Sequence, residues 1–321
     1  MRQKIIIDCD VGVDDALALI LAFHSPELEV KAVTAVNGNV PLPLVFQNIQ
    51  KVLSLIQPSE KPIIAKGADQ PLRGTTLHAH SVHGKDGLGE AKIDVKPGME
   101  WWREVPSHAA DLIPSLARHF PDEITLIAIG PLTNLAFGLQ RDFEGMMKLA
   151  EVVVMGGAVR VRGNVTPYAE FNIFTDPLAA QIVFESGLPI RVVPLDVTHQ
   201  VFLTSHLIEE TIIPVMNPFS RFLIEATGYD ITSRLFQRGR ESIYLHDPLA
   251  VGIVVDPNLV RTESLSIQVQ SREGEHLGQI LEEPEKDVRI GSGRRKIEVC
   301  LEVNSDKFLQ LFLSRLSGRR S

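Results

Sequence analysis

The sequence predicts an α/β fold built on a mostly parallel open sheet. Three observations carry this expectation. Short apolar, β-branched runs recur along the chain without polar alternation, as in strands buried on both faces. Helical segments separate them, the order of βαβ units. Strand after strand then ends in a turn rich in Gly, Asn or Asp, at the rim where open α/β sheets bind ligands.

Lys4–Ile7 reads as the first strand and Asp15–His24 as its crossover helix. Val30–Val36 is a second strand, followed by Asn37-Gly38-Asn39, and Leu44–Ile56 a second helix with Pro58 beyond it as a stop signal. Pro62–Ala65 is a short third strand. Lys66–Pro106 has no clear period, and loops this long in compact domains tend to be functional. His108–His119 is helical, and Thr125–Ile129 is a strand running into Gly130-Pro131-Leu132-Thr133-Asn134, which opens another helix. Val152–Met155 ends in Gly156-Gly157, and Ile190–Pro194 in Leu195-Asp196-Val197-Thr198. Asp176-Pro177 starts a helix, with Asp176 as N-cap and Pro177 in the first turn. That explains Asp176 without chemistry. Phe219–Arg240 reads as a mixed helical region whose Phe222 and Phe236 belong to the core. Ser264–Val269 and Lys296–Val303 are strands, Arg289–Arg295 a solvated turn and Asp306–Leu316 a closing helix. The reading is one domain over 1–321, with 256–321 an appended C-terminal subregion containing β structure.

A chain of 321 residues, 44% hydrophobic and 22% charged, has the balance of a soluble globular protein. A net charge of −8 argues against a general nucleic-acid surface. The longest unbroken apolar run, Ala16–Phe23, is too short to span a bilayer, and no signal peptide is visible. Only Cys9 and Cys300 occur, so a disulfide framework is excluded and a reducing, cytoplasmic setting is expected. Cys9 reads as a small packing residue.

The densest chemistry is Asp8-Cys9-Asp10-Val11-Gly12-Val13-Asp14-Asp15, directly after Ile5-Ile6-Ile7. Four fixed aspartates recur by chance at about one start position in 10⁵ at ordinary usage. Ionised carboxylates this close repel, which pushes at least one toward protonation. A hard divalent cation such as Ca²⁺ or Mg²⁺ removes the conflict, and a following helix N-terminus adds to it. Gly12 permits a sharp turn that folds Asp8 and Asp10 back beside Asp14 and Asp15. N-capping accounts for Asp14 or Asp15, but not for both together with Asp8 and Asp10.

Other polar groups stand out less. His78, His80 and His83 have spacings compatible with zinc, but no Cys or fourth ligand is near. His78 and His80 are expected as exposed loop residues, and His83, among glycines, as a substrate contact. Asn164, Glu170 and Asn172 have no evident local role. Asp247, before Pro248, repeats the capping pattern and, beside His246, suits a metal or an acid equally.

Asp8–Ala16 resembles the N-terminal aspartate signature of the nucleoside hydrolases, the inosine–uridine-preferring group. Gly38-Asn39-Val40, His83-Gly84, Gly130–Asn134, Met155-Gly156-Gly157, the Asn164–Asn172 cluster and His246-Asp247-Pro248 follow in the family's order, from Ile5 to Val255. Cys9 and Val11 stand where the family usually has Thr and Pro. The resemblance implies a Rossmann-like core and hydrolysis of the N-glycosidic bond of ribonucleosides. It implies a Ca²⁺ ion held by Asp10, Asp15, Asp247 and the Ile129 carbonyl, with Asp8 in support. Asp14, Asn39, Asn164, Glu170 and Asn172 would hold the ribose, with His83 and His246 near the base. Asp10 would take a proton from the metal-held water, and His246 is the candidate donor to the leaving base. A homodimer or homotetramer acting in nucleoside salvage is implied as well. Two rivals differ in class: a haloacid-dehalogenase-like Mg²⁺ phosphatase, which needs a nucleophilic Asp8 and a downstream Lys, and a non-catalytic ribose or nucleoside sensor.

Overall fold

Ile5, Ile6 and Ile7 are all fully buried, and a strand with no polar face needs cover on both sides. The computed structural model, which describes residues 2–74, 76–95, 98–230, 235–236, 242–283 and 296–317, supplies that cover. Nine strands form one sheet: β1 (Gln3–Cys9), β2 (Leu28–Ala35), β3 (Ile63–Lys66), β4 (Arg103–Glu104), β5 (Ile124–Ala128), β6 (Glu151–Met155), β7 (Ile190–Val193), β8 (Val260–Leu265) and β9 (Ile297–Val303). Their spatial order is β8-β9-β7-β6-β5-β1-β2-β3-β4. Every pairing is parallel except β8 with β9.

From β1 the chain winds outward through β2 and β3 to β4, then returns to place β5 on the other side of β1. The winding reverses between β1 and β5, and such a switch point opens a crevice at the carboxyl ends of the strands. Asp8 and Asp10 lie at that end of β1.

Helices cover both faces. One core joins Ile5, Ile7 and Cys9 to α1 (Val13–Phe23) and α2 (Leu42–Ile56). The other joins Ile6 to α3 (Ala109–His119), α4 (Thr133–Arg141) and α5 (Pro177–Glu185). The first also takes in α6 (Pro218–Thr227), α7 (His246–Val255) and α8 (Ser305–Leu316). Ala16 through Ala22 are all buried, so α1 is enclosed all round, and α7 packs against it.

Several expectations are corrected. Helix α1 begins at Val13 rather than Asp15, so both Asp14 and Asp15 fall in its first turn. Within Lys66–Pro106 lie the one-turn helix His80–His83 and the short strand β4. The region expected as helical to Arg240 stops at Thr227, where Gly228 turns left-handed at φ 67° and ends α6. Of its remainder, residues 231–234 and 237–240 lie outside the described residues, as does the Arg289–Arg295 turn. Within 256–321, β8 and β9 extend the central sheet beyond β7, while Ile267–Val269 and Ile280–Glu282 form a separate antiparallel ribbon. Among the described residues no helix is long and apolar enough to cross a membrane.

Candidate active site

The turn from β1 into α1 is shaped by backbone donors seeking acceptors. Asp15, in the first turn of α1, accepts from the backbone N–H of Gly12 (2.8 Å) and of Asp10 (3.2 Å). It thereby satisfies donors that a helix start leaves open. Gly12 itself has φ −90°, a conformation open to any residue. Glycine is needed there for room, because a Cβ would lie 2.6 Å from His83 Nδ1 and 2.8 Å from Asn39 Nδ2. Gly38 is under a tighter version of the same constraint: its Cβ would lie 2.0 Å from Asp10 Oδ2.

A second helix start completes the cluster. Helix α7 is capped at Leu245 without a side-chain cap, so Asp247 is a first-turn residue and not the N-cap its Pro248 neighbour suggests. Its carboxylate is therefore free to meet the acids of α1. Oxygens of Asp14, Asp15 and Asp247 all lie within 4.8 Å of one another. Asp10 interacts directly with Asp15. Asp8, fully buried, accepts from Thr34 Oγ1 (2.5 Å) and Asn134 Nδ2 (2.8 Å).

Burial sets the electrostatics. Desolvation, with hydrogen bonds from Thr34 and Asn134 working against it, raises Asp8 to about 7. Desolvation and the Asp14 charge raise Asp15 to about 7. Asp10 and Asp247 rise well above the ordinary carboxylate range, for the same reason and through their acidic neighbours. One oxygen each of Asp8, Asp10 and Asp14 is buried with no hydrogen-bond partner. Buried carboxylate oxygens left unpaired are strongly disfavoured, and a hard cation is the chemical complement of an all-oxygen donor set. The residues fit such an ion.

The cluster opens on a cavity of about 540 Å³. Asp14, Asn39, His83, Asn164, Glu170, Asn172, His246 and Asp247 all line it. The structure thus brings together residues separated by most of the chain. Asn39 donates through Nδ2 to Asp15 (3.2 Å) and through its backbone N–H to Asp10 Oδ2 (2.7 Å). His83 Nδ1 accepts from the Val13 N–H (3.1 Å) and lies 3.8 Å from Asp14 Oδ1.

Three residues without an evident local role prove to have one. Glu170 caps the short helix Phe171–Thr175 and accepts from the N–H groups of Asn172, Ile173 and Gly157. Asn172 Nδ2 donates to the carbonyls of Ile129 (3.0 Å) and Met155 (3.1 Å), tying the ends of β5 and β6 together. Asn164, on the exposed rim, accepts from Phe171 N–H at 3.0 Å. His78 is half-buried rather than exposed, its Nδ1 2.8 Å from the Gly38 carbonyl. Among the described residues the metal-competent cluster is aspartate only, with no histidine ligand. Cys9 is buried packing, its thiol 3.4 Å from the Thr34 carbonyl.

His246 lines the cavity and is half-buried, and desolvation pushes its imidazole down to about 4. Its Nδ1 lies 2.7 Å from Thr198 Oγ1. Tyr244 stacks on the ring at 5.4 Å between centroids, with His199 at 5.7 Å.

Sequence reasoning missed these neighbours, and it missed Thr34 and Asn134 as the supports of Asp8. The only signal was position, since Asn134 and Thr198 both sit in turns that follow strand ends. Both amide protons of Asn134 are used there, on Ala35 O (3.0 Å) and on Asp8, and its oxygen accepts from Ala68 N–H (2.8 Å).

Comparison with known proteins agrees with this geometry. A profile of the family described as inosine-uridine preferring nucleoside hydrolase matches residues 5–310. The chain is 35% identical over 319 residues to the pyrimidine-specific ribonucleoside hydrolase RihA of Photobacterium profundum, covering 99% of this chain and 100% of that one. It is 37% identical over 274 residues to the inosine-uridine preferring nucleoside hydrolase of Crithidia fasciculata, covering 84% of each. Among solved structures, the plant nucleoside hydrolase PpNRh1 matches with a TM-score of 0.89 at 33% identity, covering 99% of both chains. A parallel sheet with its acids at the switch point, and likeness along nearly its whole length, make this chain a member of the inosine-uridine preferring nucleoside hydrolase family.

Proposed function

We propose that this enzyme releases the base of a ribonucleoside by adding water across the N-glycosidic bond, at a site that carries a calcium ion. One observation carries the metal: carboxylate oxygens of Asp14, Asp15 and Asp247 converge within 4.8 Å, Asp10 interacts with Asp15, and buried oxygens of Asp10 and Asp14 remain unpaired there. Asp10, Asp15, Asp247 and the Ile129 carbonyl would hold the ion, with Asp8 in support. When bound, it supplies a fixed charge that restores the carboxylates to their ionised form and orients hydroxyl groups and water.

The chain's own residues do the rest. Glycosyl transfer accumulates positive charge on the sugar, and the acidic rim stabilises it. Asp14, Asn39, Asn164, Glu170 and Asn172 bind ribose from several sides, which fixes C1′ relative to the cluster. Asp10 accepts a proton from the attacking water as the C1′–N bond breaks. His246, which lines the same cavity, serves the departing base together with His83. The base leaves with a proton and the ribose keeps the hydroxyl.

The Mg²⁺ phosphatase reading is displaced by the family match. A homodimer or homotetramer is the proposed assembly, on family resemblance alone. The unpaired, buried Cys9 and Cys300 support a reducing, cytoplasmic compartment.

A panel of ribonucleosides and their 2′-deoxy counterparts, assayed for free sugar, tests the reaction. Ribonucleosides should be cleaved and deoxyribonucleosides rejected by roughly 10⁴, as for a site built to bond the missing hydroxyl. Equal rates on both sugars, or tight binding with no sugar released, contradict it.

A further inference from the structure

Thr198 closes the one-turn helix Leu195–Thr198 that follows β7, and it is completely buried. Its hydroxyl lies 2.7 Å from Nδ1 of His246. A hydroxyl must place its proton on an acceptor, and buried donors almost always do. Among the described residues, His246 Nδ1 is the acceptor the structure offers to this hydroxyl. The proton therefore points from Thr198 to the ring. Were Nδ1 to carry a proton of its own, the two donors would face each other and the buried hydroxyl would be left unsatisfied. Nδ1 is thus bare, and the single ring proton sits on Nε2. Tyr244 stacked at 30° on one side and His199 at 5.7 Å restrict rotation of the ring. With Nδ1 turned to Thr198, the Nε2 edge is the one left for the cavity that His246 lines.

We propose that Thr198 is a positioning residue for base release: by donating to Nδ1 it holds His246 as an Nε2–H donor facing the leaving base. The inference rests on the reading that His246 serves the base. It narrows the substrate class to nucleosides whose base presents a hydrogen-bond acceptor, a ring nitrogen or carbonyl oxygen, to that wall. A leaving group that departs as a stable anion needs no such donor and should be insensitive to Thr198.

The test compares Thr198→Val, Thr198→Ser and His246→Ala on inosine and on p-nitrophenyl riboside. Thr198→Val keeps shape and removes the hydroxyl. It should lower kcat on inosine roughly tenfold or more, the scale of one buried hydrogen bond, with a smaller change in KM. The loss on the aryl riboside should be several-fold smaller, and Thr198→Ser should recover most of the inosine rate. His246→Ala sets the scale of the full effect. Equal losses of Thr198→Val on both substrates, or no recovery by serine, overturn the role. A full inosine rate in Thr198→Val beside a crippled His246→Ala overturns Thr198 alone. A full inosine rate in His246→Ala overturns the reading of His246 first. Should the valine variant fail to fold, ¹⁵N spectra of histidine-labelled wild type decide: a protonated Nε2 and bare Nδ1 on His246 support the inference, and the opposite pattern ends it.

Discussion

The carboxylate of Asp15, in the first turn of α1, lies within 4.8 Å of that of Asp247, in the first turn of α7. Two helices that pack against each other thus aim their N-termini at one point. Helix N-termini favour negative charge, but their partial charges do not neutralise four aspartates. A divalent cation adds two full positive charges to those partial ones.

That balance has a measurable pH dependence. Asp8 and Asp15 move from 3.8 in the unfolded chain to about 7 in the ion-free protein. Between those values these two acids bind more protons in the native chain than in the unfolded one, so the stability they contribute falls as pH rises through the interval; Asp10 and Asp247, raised further, carry the fall beyond it, while His246, lowered to about 4, offsets part of it. In chelator, melting temperature should therefore drop from about pH 4 to about pH 7, apart from global acid effects. Calcium should raise it, and more so at the upper end, because ionised acids bind the ion. A calcium-induced shift that is larger at low pH contradicts this.

On the proposed roles of Asp10, as a metal contact and as the acceptor of the water's proton, Asp10→Ala should abolish turnover, by roughly 10³-fold or more. Circular dichroism establishes folding and a free-sugar assay the rate. A folded variant with near-normal turnover refutes the role.

Gly38→Ala tests the room around Asp10. The added methyl would overlap Asp10 Oδ2 and must push the loop or the acid aside, at about 1–3 kcal/mol for an overpacked interior. Calcium affinity by titration calorimetry should fall at least tenfold. An unchanged affinity with unchanged melting temperature is the contrary result.

His246→Ala should slow inosine more than uridine, because departure of a purine gains more from a donor. Steady-state kcat on the two substrates measures it. Equal losses on both remove His246 from base release.

Much of this was legible in the sequence. Parallel strands leave continuous apolar runs, so Ile5–Ile7 and Val152–Met155 announced the sheet, and the Gly- and Asn-rich turns announced its working rim. The four aspartates were visible because nothing local explains them together. Asp247 was ambiguous because Asp-Pro is also a helix start, and only its place two residues past the cap position resolves it. Glu170 erred the other way: it caps a helix of five residues, too short to leave a periodic pattern. The supports of Asp8 and His246 were illegible for a different reason. Thr34, Asn134 and Thr198 act across the fold, and a lone Thr or Asn carries no spacing signal.

The central claim is that an aspartate-held cation is required to hydrolyse a ribonucleoside. It is tested most directly by the ribose released from inosine or uridine by one purified sample, measured before chelation, after it, and after calcium is restored. The account predicts release, loss and recovery. Full release by protein that elemental analysis shows to be free of divalent metal would contradict it.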